Sequence, residues 1–276
     1  SDPGFFTFGN HTFRDDKKGG HGMVDMAKSI VESCDTYYYT LARDMGVNMM
    51  HDFMKPLGFG QITGIDLDGE VRGVLPSTNW KEKTFKRPEQ QKWYEGETIS
   101  LGIGQGYNSF TILQLAHATA NLANGGIVMK PHIVKAIENP ITKKKSLTTP
   151  KESYRIPLKS EHIDVIKNAM LDVNKFGTSA QAFTGAAYQP AGKTGTAQVF
   201  SLGSKNYSHG ATAEFLRDHA LYIVFAPADN PKIAIGMIVE NAGFGAVNAA
   251  PIARRALDYY LEGKWPKEIP EWKNAP

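Results

Sequence analysis

The sequence predicts an α+β fold in which helices cover an antiparallel sheet and an all-helical lobe lies beside it. Helical spacing of apolar residues dominates the first half of the 276-residue chain, whereas strand-like apolar runs are concentrated near its end. One more helical segment follows those runs. Hydrophobic residues make up 41% of the chain and charged residues 21%, so a sizeable core is available and disorder is not expected.

The helical segments account for most of the first half of the chain. Periodicity begins near Met23, breaks at residues 32–35, and resumes from Thr36 until Gly46, where the glycine ends the helix. Further helices are predicted at residues 49–55, 111–123, 160–174, 178–183 and 249–262. The remaining stretches are predicted to be an irregular segment at 1–22, a Gly-rich loop at 58–76 and a polar surface excursion at 77–98.

Strand-like patterns are strongest after residue 189. Residues 190–200 begin with small residues and end with alternating apolar and polar residues, a pattern that predicts a strand. The apolar runs 220–226 and 232–240 are joined by a short segment that begins and ends with proline, which predicts an antiparallel hairpin. Three other segments complete this half: a strand at 127–137, a loop or hairpin at 138–157 and a polar insertion at 201–218.

Charge and cysteine content narrow the possible classes of protein. The formal net charge is +3, which is too small to indicate nucleic-acid binding. Cys34 is the only cysteine, so no internal disulfide can form. No stretch approaches the ~18 apolar residues of a membrane helix. Because the chain opens abruptly at Ser1, we expect it to be part of a longer protein whose targeting segment lies upstream.

The segment Lys193-Thr194-Gly195-Thr196 carries the clearest chemical signal. A lysine and two hydroxyls around a glycine make a cationic strand edge that is rich in hydrogen-bond donors. Gly195 has no side chain, so another backbone or a substrate can lie close against it. Such an edge can bind a carboxylate and pair with a peptide as an added strand. The simpler alternative is a turn-to-strand entry with a solvated lysine.

A second polar pair, Ser33 and Asp35, lies in the break between the first two helices. A hydroxyl and a carboxylate that face a cleft can pass a proton to a leaving amine. Helix capping is the alternative, because serine and aspartate are preferred cap residues. If both motifs belong to one site, residues 193–196 must lie within a few ångströms of the Ser33 hydroxyl.

Taken together, these segments resemble the serine transpeptidases called penicillin-binding proteins, whose motifs are Ser-x-x-Lys, Ser-Asp-Asn and Lys-Thr-Gly. Ser33 and Asp35 match the second motif, with aspartate where many relatives have asparagine, and Lys193 begins the third. The resemblance covers nearly all of residues 1–265 and is to the class B, elongation-specific members of Gram-negative bacteria. It is carried by residues 32–39, 63–67, 102–107, 193–199, 217–219 and 238–241.

The resemblance implies a role for each motif residue. Ser33 and Asp35 would relay a proton to the leaving D-alanine or from the incoming amine, and Lys193 would supply a positive field. The hydroxyls of Thr194 and Thr196 would bind the terminal carboxylate of a donor peptide or a β-lactam. The backbone N–H of Thr196 would form the oxyanion hole together with that of the nucleophile.

The resemblance also implies a β-lactamase-like fold with a five-stranded antiparallel sheet, and a peptidoglycan D,D-transpeptidase domain over residues 1–276. Such a domain cross-links stem peptides through a serine acyl-enzyme and is the target of β-lactams. No serine of this sequence begins a Ser-x-x-Lys motif. We therefore expect a domain truncated at its N-terminus, with the nucleophile on an upstream segment or a separate chain, and a chain that is inactive alone.

The partners implied by the resemblance are stem peptides, the lipid-linked precursor, β-lactams, a membrane glycosyltransferase and elongation-complex proteins, and no nucleic acid. The expected location is the periplasmic face of the inner membrane, with a single-pass anchor upstream. Two other functions stay open. A β-lactamase or D,D-carboxypeptidase needs rapid attack by water, and the Glu-x-x-x-Asn motif of class A β-lactamases is absent. A non-catalytic module that senses wall peptides or β-lactams agrees with the missing nucleophile.

A metal site is predicted around Cys34 and His21, with Asp2 and either Asp15 or Asp16. One thiolate, one imidazole and two carboxylates are acceptable ligands for tetrahedral zinc. The spacings match no standard zinc finger, and a buried free cysteine with a surface histidine is the alternative. The resemblance adds that some elongation-specific relatives hold a structural zinc in this segment. The hypothesis assigns zinc to Asp2, Asp15, His21 and Cys34.

Three further residues are candidates for positions near the cleft or the strand of the third motif. Gln105 and Tyr107 follow glycines, so they either line the cleft or form a turn before the next helix. His219 precedes a strand, and we expect it to order the loop beside the strand of the third motif.

Overall fold

The computed structural model describes residues 1–199 and 212–264, in which every paired strand is antiparallel. The strands are β1 (Phe5–Phe8), β2 (His11–Arg14), β3 (Ile127–Met129), β4 (Ala136–Glu138), β5 (Lys145–Leu147), β6 (Glu152–Arg155), β7 (Ala191–Ala197), β8 (His219–Ala226) and β9 (Ile233–Val239). The helices are α1 (Met26–Val31), α2 (Asp35–Met54), α3 (Thr78–Thr84), α4 (Pro88–Gln91), α5 (Glu95–Leu101), α6 (Ile112–Ala123), α7 (Ser160–Lys175), α8 (Ala180–Phe183), α9 (Gly245–Asn248) and α10 (Ala250–Glu262). Most of the predicted polar insertion at 201–218 and the C-terminal tail lie outside the described residues.

The sheet that carries the third motif has the order β7-β8-β9. The predicted hairpin is confirmed, because β8 and β9 pair antiparallel from Ala220 opposite Val239 to Ala226 opposite Ile233. The α+β class with an antiparallel sheet is also confirmed. In the described residues β7 is an edge strand, with β8 on one side of it.

Three strands of this sheet lie in the described residues, rather than the five that were expected. The stretch 127–137 was predicted to be one long strand, but β3 stops at Met129 and pairs with β6 in a separate two-stranded sheet. Pro131 lies two residues further on, and proline has no N–H to donate to a ladder. A second strand, β4, begins at Ala136 near the end of that stretch and forms a hairpin with β5, which lies in the predicted loop or hairpin at 138–157.

Alternate residues of β8 pack against helices on opposite faces of the sheet. Tyr222 and Val224 lie in a buried cluster with Ala253 and Leu257 of α10. Phe225 points the other way, into a second cluster that contains residues of α1, α6 and α7. Side chains two apart in a strand share a face, so this alternation follows from the apolar run itself. The sheet is therefore covered by helices on both faces.

The helical part of the chain has a core of its own, in which Phe59, Leu75 and Ala118 are buried. Its longest helix, α2, contains a kink at Gly46, where φ is 73°. Glycine adopts this left-handed conformation without steric cost. The predicted end of one helix at Gly46 and the predicted start of another at residue 49 correspond to the two sides of this kink.

Two stretches differ from the sequence prediction. Residues 1–22 were expected to be irregular, but β1 and β2 form a hairpin around a two-residue turn between Phe8 and His11. Alternating aromatic residues and threonines flank a Gly-Asn turn, which is a hairpin signal. Residues 77–98 were expected to be a surface excursion, but they form α3, α4 and part of α5. The polar residues Lys81 and Thr98 are buried there.

Candidate active site and metal-ligand cluster

The hydroxyl of Ser33 lies beside the ammonium group of Lys193. Lys193 Nζ donates a hydrogen bond of 2.7 Å to Ser33 Oγ, across 160 residues of sequence. One side chain comes from the break between α1 and α2, and the other comes from β7. The structure thus brings the Ser-x-Asp and Lys-Thr-Gly motifs to one place, as a shared site requires. We refer to these two residues as the Ser33–Lys193 pair.

The break between α1 and α2 presents Ser33 in an uncommon backbone conformation. Its φ is 62°, in the left-handed region that residues other than glycine seldom occupy and that is concentrated at functional sites. Cys34 is the N-cap residue of α2, without a side-chain cap hydrogen bond, and Asp35 is the first helical residue. Neither Ser33 nor Asp35 is therefore the cap, and the capping alternative is wrong.

Two ionisable groups at this site have pKa values that the surrounding protein moves toward neutrality. Burial, together with the carboxylates of Asp15 and Asp16, raises the pKa of Asp35 to about 7 against the opposing effect of Lys193. Desolvation lowers the pKa of the Lys193 ammonium to about 8, against the attraction of the Asp35 and Asp16 carboxylates. Groups whose pKa values lie near the working pH are suited to proton transfer.

The two threonines of the third motif differ in their surroundings. The hydroxyl of Thr194 lies 2.9 Å from the hydroxyl of Thr178, in the connection between α7 and α8. The carbonyl oxygen of Thr196 accepts a hydrogen bond of 3.1 Å from Gln105 Nε2. Lys193 Nζ also donates to the carbonyl oxygen of Thr194, over 3.0 Å. Both threonines are partly exposed along the edge strand β7.

Gly195 was expected to allow another backbone to lie close, and the structure contains such a neighbour. The backbone of Gly245, at the start of α9, lies against the main chain of Gly195 and the carbonyl oxygen of Leu221. A side chain on Gly245 would collide with these atoms, whereas a Cβ on Gly195 would meet the Leu221 Cβ at 3.3 Å. The need for a glycine is therefore greater at Gly245 than at Gly195.

The residues left undecided by the sequence also have definite places. Gln105 reaches β7, and the Tyr107 hydroxyl donates to Glu97 Oε1 over 3.0 Å. His219 Nδ1 accepts from the backbone N–H of Asn241 over 2.9 Å, and the Asn241 amide donates to the carbonyl oxygen of Arg217. His219 therefore anchors the turn after β9, which in turn contacts the segment before β8; most of the loop after β7, which His219 was expected to order, lies outside the described residues.

Four potential metal ligands converge on the other side of the helix break. The ligand atoms of Asp2, Asp15, His21 and Cys34 all lie within 4.8 Å of one another, and all four residues are buried. His21 Nδ1 lies 2.8 Å from Asp2 Oδ2 and 3.3 Å from Asp15 Oδ1. Cys34 Sγ lies 3.4 Å from Asp2 Oδ2 and 3.6 Å from Asp15 Oδ2. We refer to these residues as the four-residue cluster.

The four-residue cluster has the chemistry of a cation site. Tetrahedral zinc separates ligand atoms by about 3.3–3.8 Å, given bond lengths of about 2.0–2.3 Å to nitrogen, oxygen and sulfur. Most of the distances in the cluster lie close to this range. Burial, together with the carboxylates of Asp15 and Asp2, raises the pKa of the Cys34 thiol to about 12. A cation would offset the repulsion among these groups, so the donor set fits zinc.

Hydrogen bonds hold the carboxylates of the cluster in place. Burial alone would raise the pKa of Asp2, but hydrogen bonds from the backbone of Gly4 and from His21 hold it well below its ordinary value. Asp15 Oδ2 accepts a hydrogen bond of 2.8 Å from the backbone N–H of Thr36, in the first turn of α2. The cluster thereby connects the N-terminal segment to the helix that follows Ser33. Asp16, the other carboxylate considered, is largely exposed and lies at 4.0 Å from His21 Nε2.

Comparisons with known proteins agree with the geometry. The family model for the penicillin-binding protein transpeptidase domain matches residues 3–258. The peptidoglycan D,D-transpeptidase MrdA of Haemophilus influenzae is 43% identical over 279 residues, which cover 96% of this chain and 41% of that protein. The MrdA protein of Acinetobacter baumannii is 45% identical over 266 residues, which cover 95% of this chain and 38% of that protein.

Solved structures show the same relationship. Pseudomonas aeruginosa PBP2 in complex with WCK 5153 has a TM-score of 0.80 and 38% identity, over 98% of this chain and 57% of that one. PBP2 in complex with MreC, from Helicobacter pylori, has a TM-score of 0.76 and 30% identity, over 95% of this chain and 45% of that one. The chain spans about two fifths of the length of the curated relatives that it matches. It belongs to the family of penicillin-binding protein transpeptidase domains, class B.

Proposed function

We propose that this chain supplies the proton relay and the carboxylate-binding edge of a peptidoglycan D,D-transpeptidase. The full protein would cross-link stem peptides through a serine acyl-enzyme and would be the target of β-lactams. The observation that carries the proposal is the 2.7 Å hydrogen bond from Lys193 Nζ to Ser33 Oγ, which joins the two motifs. Membership of the family and the names of the relatives support the reaction class.

In the proposed mechanism, the Ser33–Lys193 pair moves protons to and from the reacting nitrogen. Because the Lys193 ammonium donates to Ser33 Oγ, the serine hydrogen is directed elsewhere and is available for the leaving D-alanine amine. Ser33 would regain a proton from Lys193. In the second half-reaction the same two groups would accept a proton from the incoming amine. Asp35 would balance the charge on Lys193, whose pKa the carboxylate of Asp35 raises.

The strand β7 would bind the carboxylate end of the donor peptide. When Thr178 donates to Thr194, the hydrogen of the Thr194 hydroxyl is left for a substrate carboxylate. Thr196 would contribute its hydroxyl to the same carboxylate, and Lys193 supplies the positive charge nearby. The backbone N–H of Thr196 would stabilise the oxyanion as acylation proceeds.

The nucleophile is assigned to a segment outside these 276 residues, because the sequence contains no Ser-x-x-Lys motif. Incubation of this chain alone with benzylpenicillin should leave its intact mass unchanged. A covalent penicilloyl adduct on the isolated chain would contradict this assignment. The same experiment on the full-length protein should give one adduct per chain.

The relay is tested by Ser33→Ala in the full-length protein, with fluorescent penicillin as the probe. Loss of a positioned proton donor should slow acylation by about 10²-fold or more. Ser160→Ala, at the exposed start of α7, is the matched control and should acylate at the wild-type rate. Acylation of the Ser33→Ala protein at the wild-type rate would overturn the proposed relay.

We also infer that the four-residue cluster holds a structural zinc ion. The ligand set and its burial support this inference, and the ion would compensate the carboxylates and the thiolate. Bound there, zinc would hold residues 1–22 against the helix break that carries Ser33. It would supply charge compensation and cross-linking, while the proton transfers would remain with Ser33 and Lys193.

The proposed partners and location follow from the relatives. None of the helices in residues 1–199 and 212–264 combines the length and the apolar character that a membrane span requires. We place the domain at the periplasmic face of the inner membrane, on a single-pass anchor outside these residues. The Helicobacter PBP2–MreC complex supports elongation-complex proteins as partners. The peptidoglycan synthase complex, which has 26% identity and a TM-score of 0.78, supports a glycosyltransferase as a partner. The proposed substrates are the lipid-linked precursor and stem peptides. Co-purification of the full-length protein with MreC tests the partner assignment.

A further inference from the structure

Two carbonyl groups of β7 are already occupied by side chains of the same chain. The carbonyl oxygen of Thr194 accepts from Lys193 Nζ at 3.0 Å, and that of Thr196 accepts from Gln105 Nε2 at 3.1 Å. Main-chain groups of residues two apart in a strand point to the same edge. The two contacts therefore locate the acceptors of one edge, the one along which the Ser33–Lys193 pair lies.

Gln105 is held firmly enough to act as a fixed donor at that edge. It belongs to a loop that follows α5, and its own N–H donates to the carbonyl oxygen of Ser100 over 3.0 Å. At one end of the loop, Gly102 packs so tightly that a Cβ would lie 2.5 Å from the carbonyl oxygen of Tyr38. At the other end, the Tyr107 hydroxyl donates to Glu97, which is in turn paired with the buried ammonium of Lys81.

The contact between Gln105 and Thr196 has a consequence for peptide binding. A peptide that adds to β7 as a new strand needs main-chain acceptors on that edge for its own N–H groups. The Gln105 amide already fills the acceptor at Thr196. An incoming N–H at that position either displaces this hydrogen bond or shares the oxygen as a second donor, and in both cases it gains less than it would at an unpaired acceptor.

We propose that Gln105 is a specificity-determining residue of the donor-peptide site. Its side-chain amide donates to the Thr196 carbonyl oxygen, and this reduces the rate advantage of acyl donors that present an N–H at that position. This inference rests on the proposed transpeptidase function. In the wild-type protein the Thr196 acceptor is satisfied with either kind of donor. Without the Gln105 amide, a donor lacking the N–H leaves a desolvated acceptor unpaired, whereas a donor with the N–H satisfies it.

The test uses two acyl donors that differ in one group. A benzoyl-D-alanyl thioester has an amide N–H, and the corresponding benzoyl-D-lactyl thioester has an ester oxygen in its place. The acylation rates of the full-length protein are measured with both, and their ratio is compared between wild type and Gln105→Ala. The amide-to-ester ratio should rise by about three- to tenfold in the variant, the effect of one hydrogen bond.

Two further variants separate this role from simple support of the loop. Gln105→Glu keeps the size of the side chain and removes the donor, so the ratio should rise as in Gln105→Ala. Asn108→Ala removes a side chain of the same region that donates to the carbonyl oxygen of Leu101 over 3.3 Å, and it should leave the ratio unchanged.

The outcomes distinguish this inference from the function on which it rests. Slower acylation by both thioesters with an unchanged ratio would show that Gln105 only supports the loop, and would overturn the inference alone. A ratio that rises equally in Asn108→Ala would also overturn it. If the wild-type protein were acylated by neither thioester nor by penicillin, the proposed function would fail and the inference with it.

Discussion

The Ser33–Lys193 pair and the four-residue cluster are built from adjacent residues of one helix break, but they treat charge differently. Ser33 faces a lysine, whose charge is balanced by the neighbouring Asp35. Cys34, the next residue, faces the carboxylates of Asp2 and Asp15. The first site contains both signs of charge in its own side chains, and the second contains an excess of negative groups around one imidazole.

This difference indicates why one site is suited to chemistry and the other to structure. Burial shifts the pKa values of Asp35 and Lys193 toward neutrality, against the mutual attraction of the acid and the cation, so protons can move between partners. Buried groups of one sign are costly unless a cation accompanies them, and once it is bound they resist separation. We therefore expect changes at the pair to alter activity with little effect on stability, and changes at the cluster to have the opposite effect.

The largest effect is expected from removal of the Lys193 ammonium. In the full-length protein, Lys193→Met should lower acylation by fluorescent penicillin by about 10²- to 10⁴-fold, because the relay loses its proton source and the substrate carboxylate loses a positive charge. Lys175→Met, at a half-exposed lysine in the last turn of α7, is the control and should be unaffected. Retention of acylation within a few-fold in Lys193→Met would remove the distinction between the two sites.

The next effect concerns the cluster. Inductively coupled plasma mass spectrometry of the purified protein should give about one zinc ion per chain. Its removal by a strong chelator should lower the melting temperature by roughly 10 °C, since uncompensated buried charges cost about 3–5 kcal/mol and each kcal/mol corresponds to about 2–4 °C.

Variants make the same comparison without a chelator. Asp15→Asn should reduce both the zinc content and the melting temperature, because Asp15 contacts His21, Cys34 and the backbone of Thr36. Asp16→Asn is the matched control, since its side chain is 62% exposed and lies outside the four-residue cluster. Equal melting temperatures for wild type and Asp15→Asn, with no zinc in either, would contradict the metal assignment.

The residues of both sites could be predicted from the sequence, because the side chains of lysine, serine, cysteine and the acidic residues have a characteristic chemistry that does not depend on the fold. The contact between Ser33 and Lys193 spans 160 residues, so the family resemblance, rather than periodicity, predicted their proximity. Gln105 lies in a segment that carries the resemblance, and the sequence predicted either a cleft-lining residue or a turn there, but it did not predict the partner of the side chain. Its partner is a backbone carbonyl, and a backbone group has the same identity at every position of a sequence.

The errors in the fold prediction have physical causes as well. The stretch 77–98 looked like a surface segment because it is rich in charged and polar residues, but Lys81 is buried by pairing with Glu97, 16 residues away. Charge predicts exposure only when no partner of opposite sign packs beside it. The N-terminal hairpin has a Gly-Asn turn that the sequence shows. Its strands are short and have many glycines near them, so the segment was predicted to be irregular.

The Lys81–Glu97 ion pair provides a third case that sharpens the comparison, because it is buried and balanced without a metal. The Lys81 side chain is 3% exposed and its ammonium contacts both oxygens of Glu97. Lys81→Met should lower the free energy of unfolding by about 2–3 kcal/mol, somewhat less than for a fully buried pair, because Glu97 retains some exposure.

Two controls accompany this prediction. The double variant Lys81→Met with Glu97→Gln should recover part of the lost stability, because it leaves no unpaired charge, and urea denaturation measures both proteins. The loss should also be the same with and without chelator. A loss in Lys81→Met that disappeared when the metal was removed would mean that the ion pair and the cluster are one cooperative unit.

The smallest effect on stability is expected at Ser33 itself. Its φ of 62° is unfavourable for serine but not for glycine, so Ser33→Gly should leave the free energy of unfolding unchanged or raise it by up to about 1 kcal/mol. Acylation should nevertheless fall, because the relay hydroxyl is lost. Lys143→Gly, at another residue with positive φ (59°) in the exposed β4–β5 turn, should show the same stability change with normal acylation. A loss of more than about 2 kcal/mol in Ser33→Gly, of the size that marks a structural contact, would show that the Ser33–Lys193 hydrogen bond has the stabilising role that we propose for the four-residue cluster.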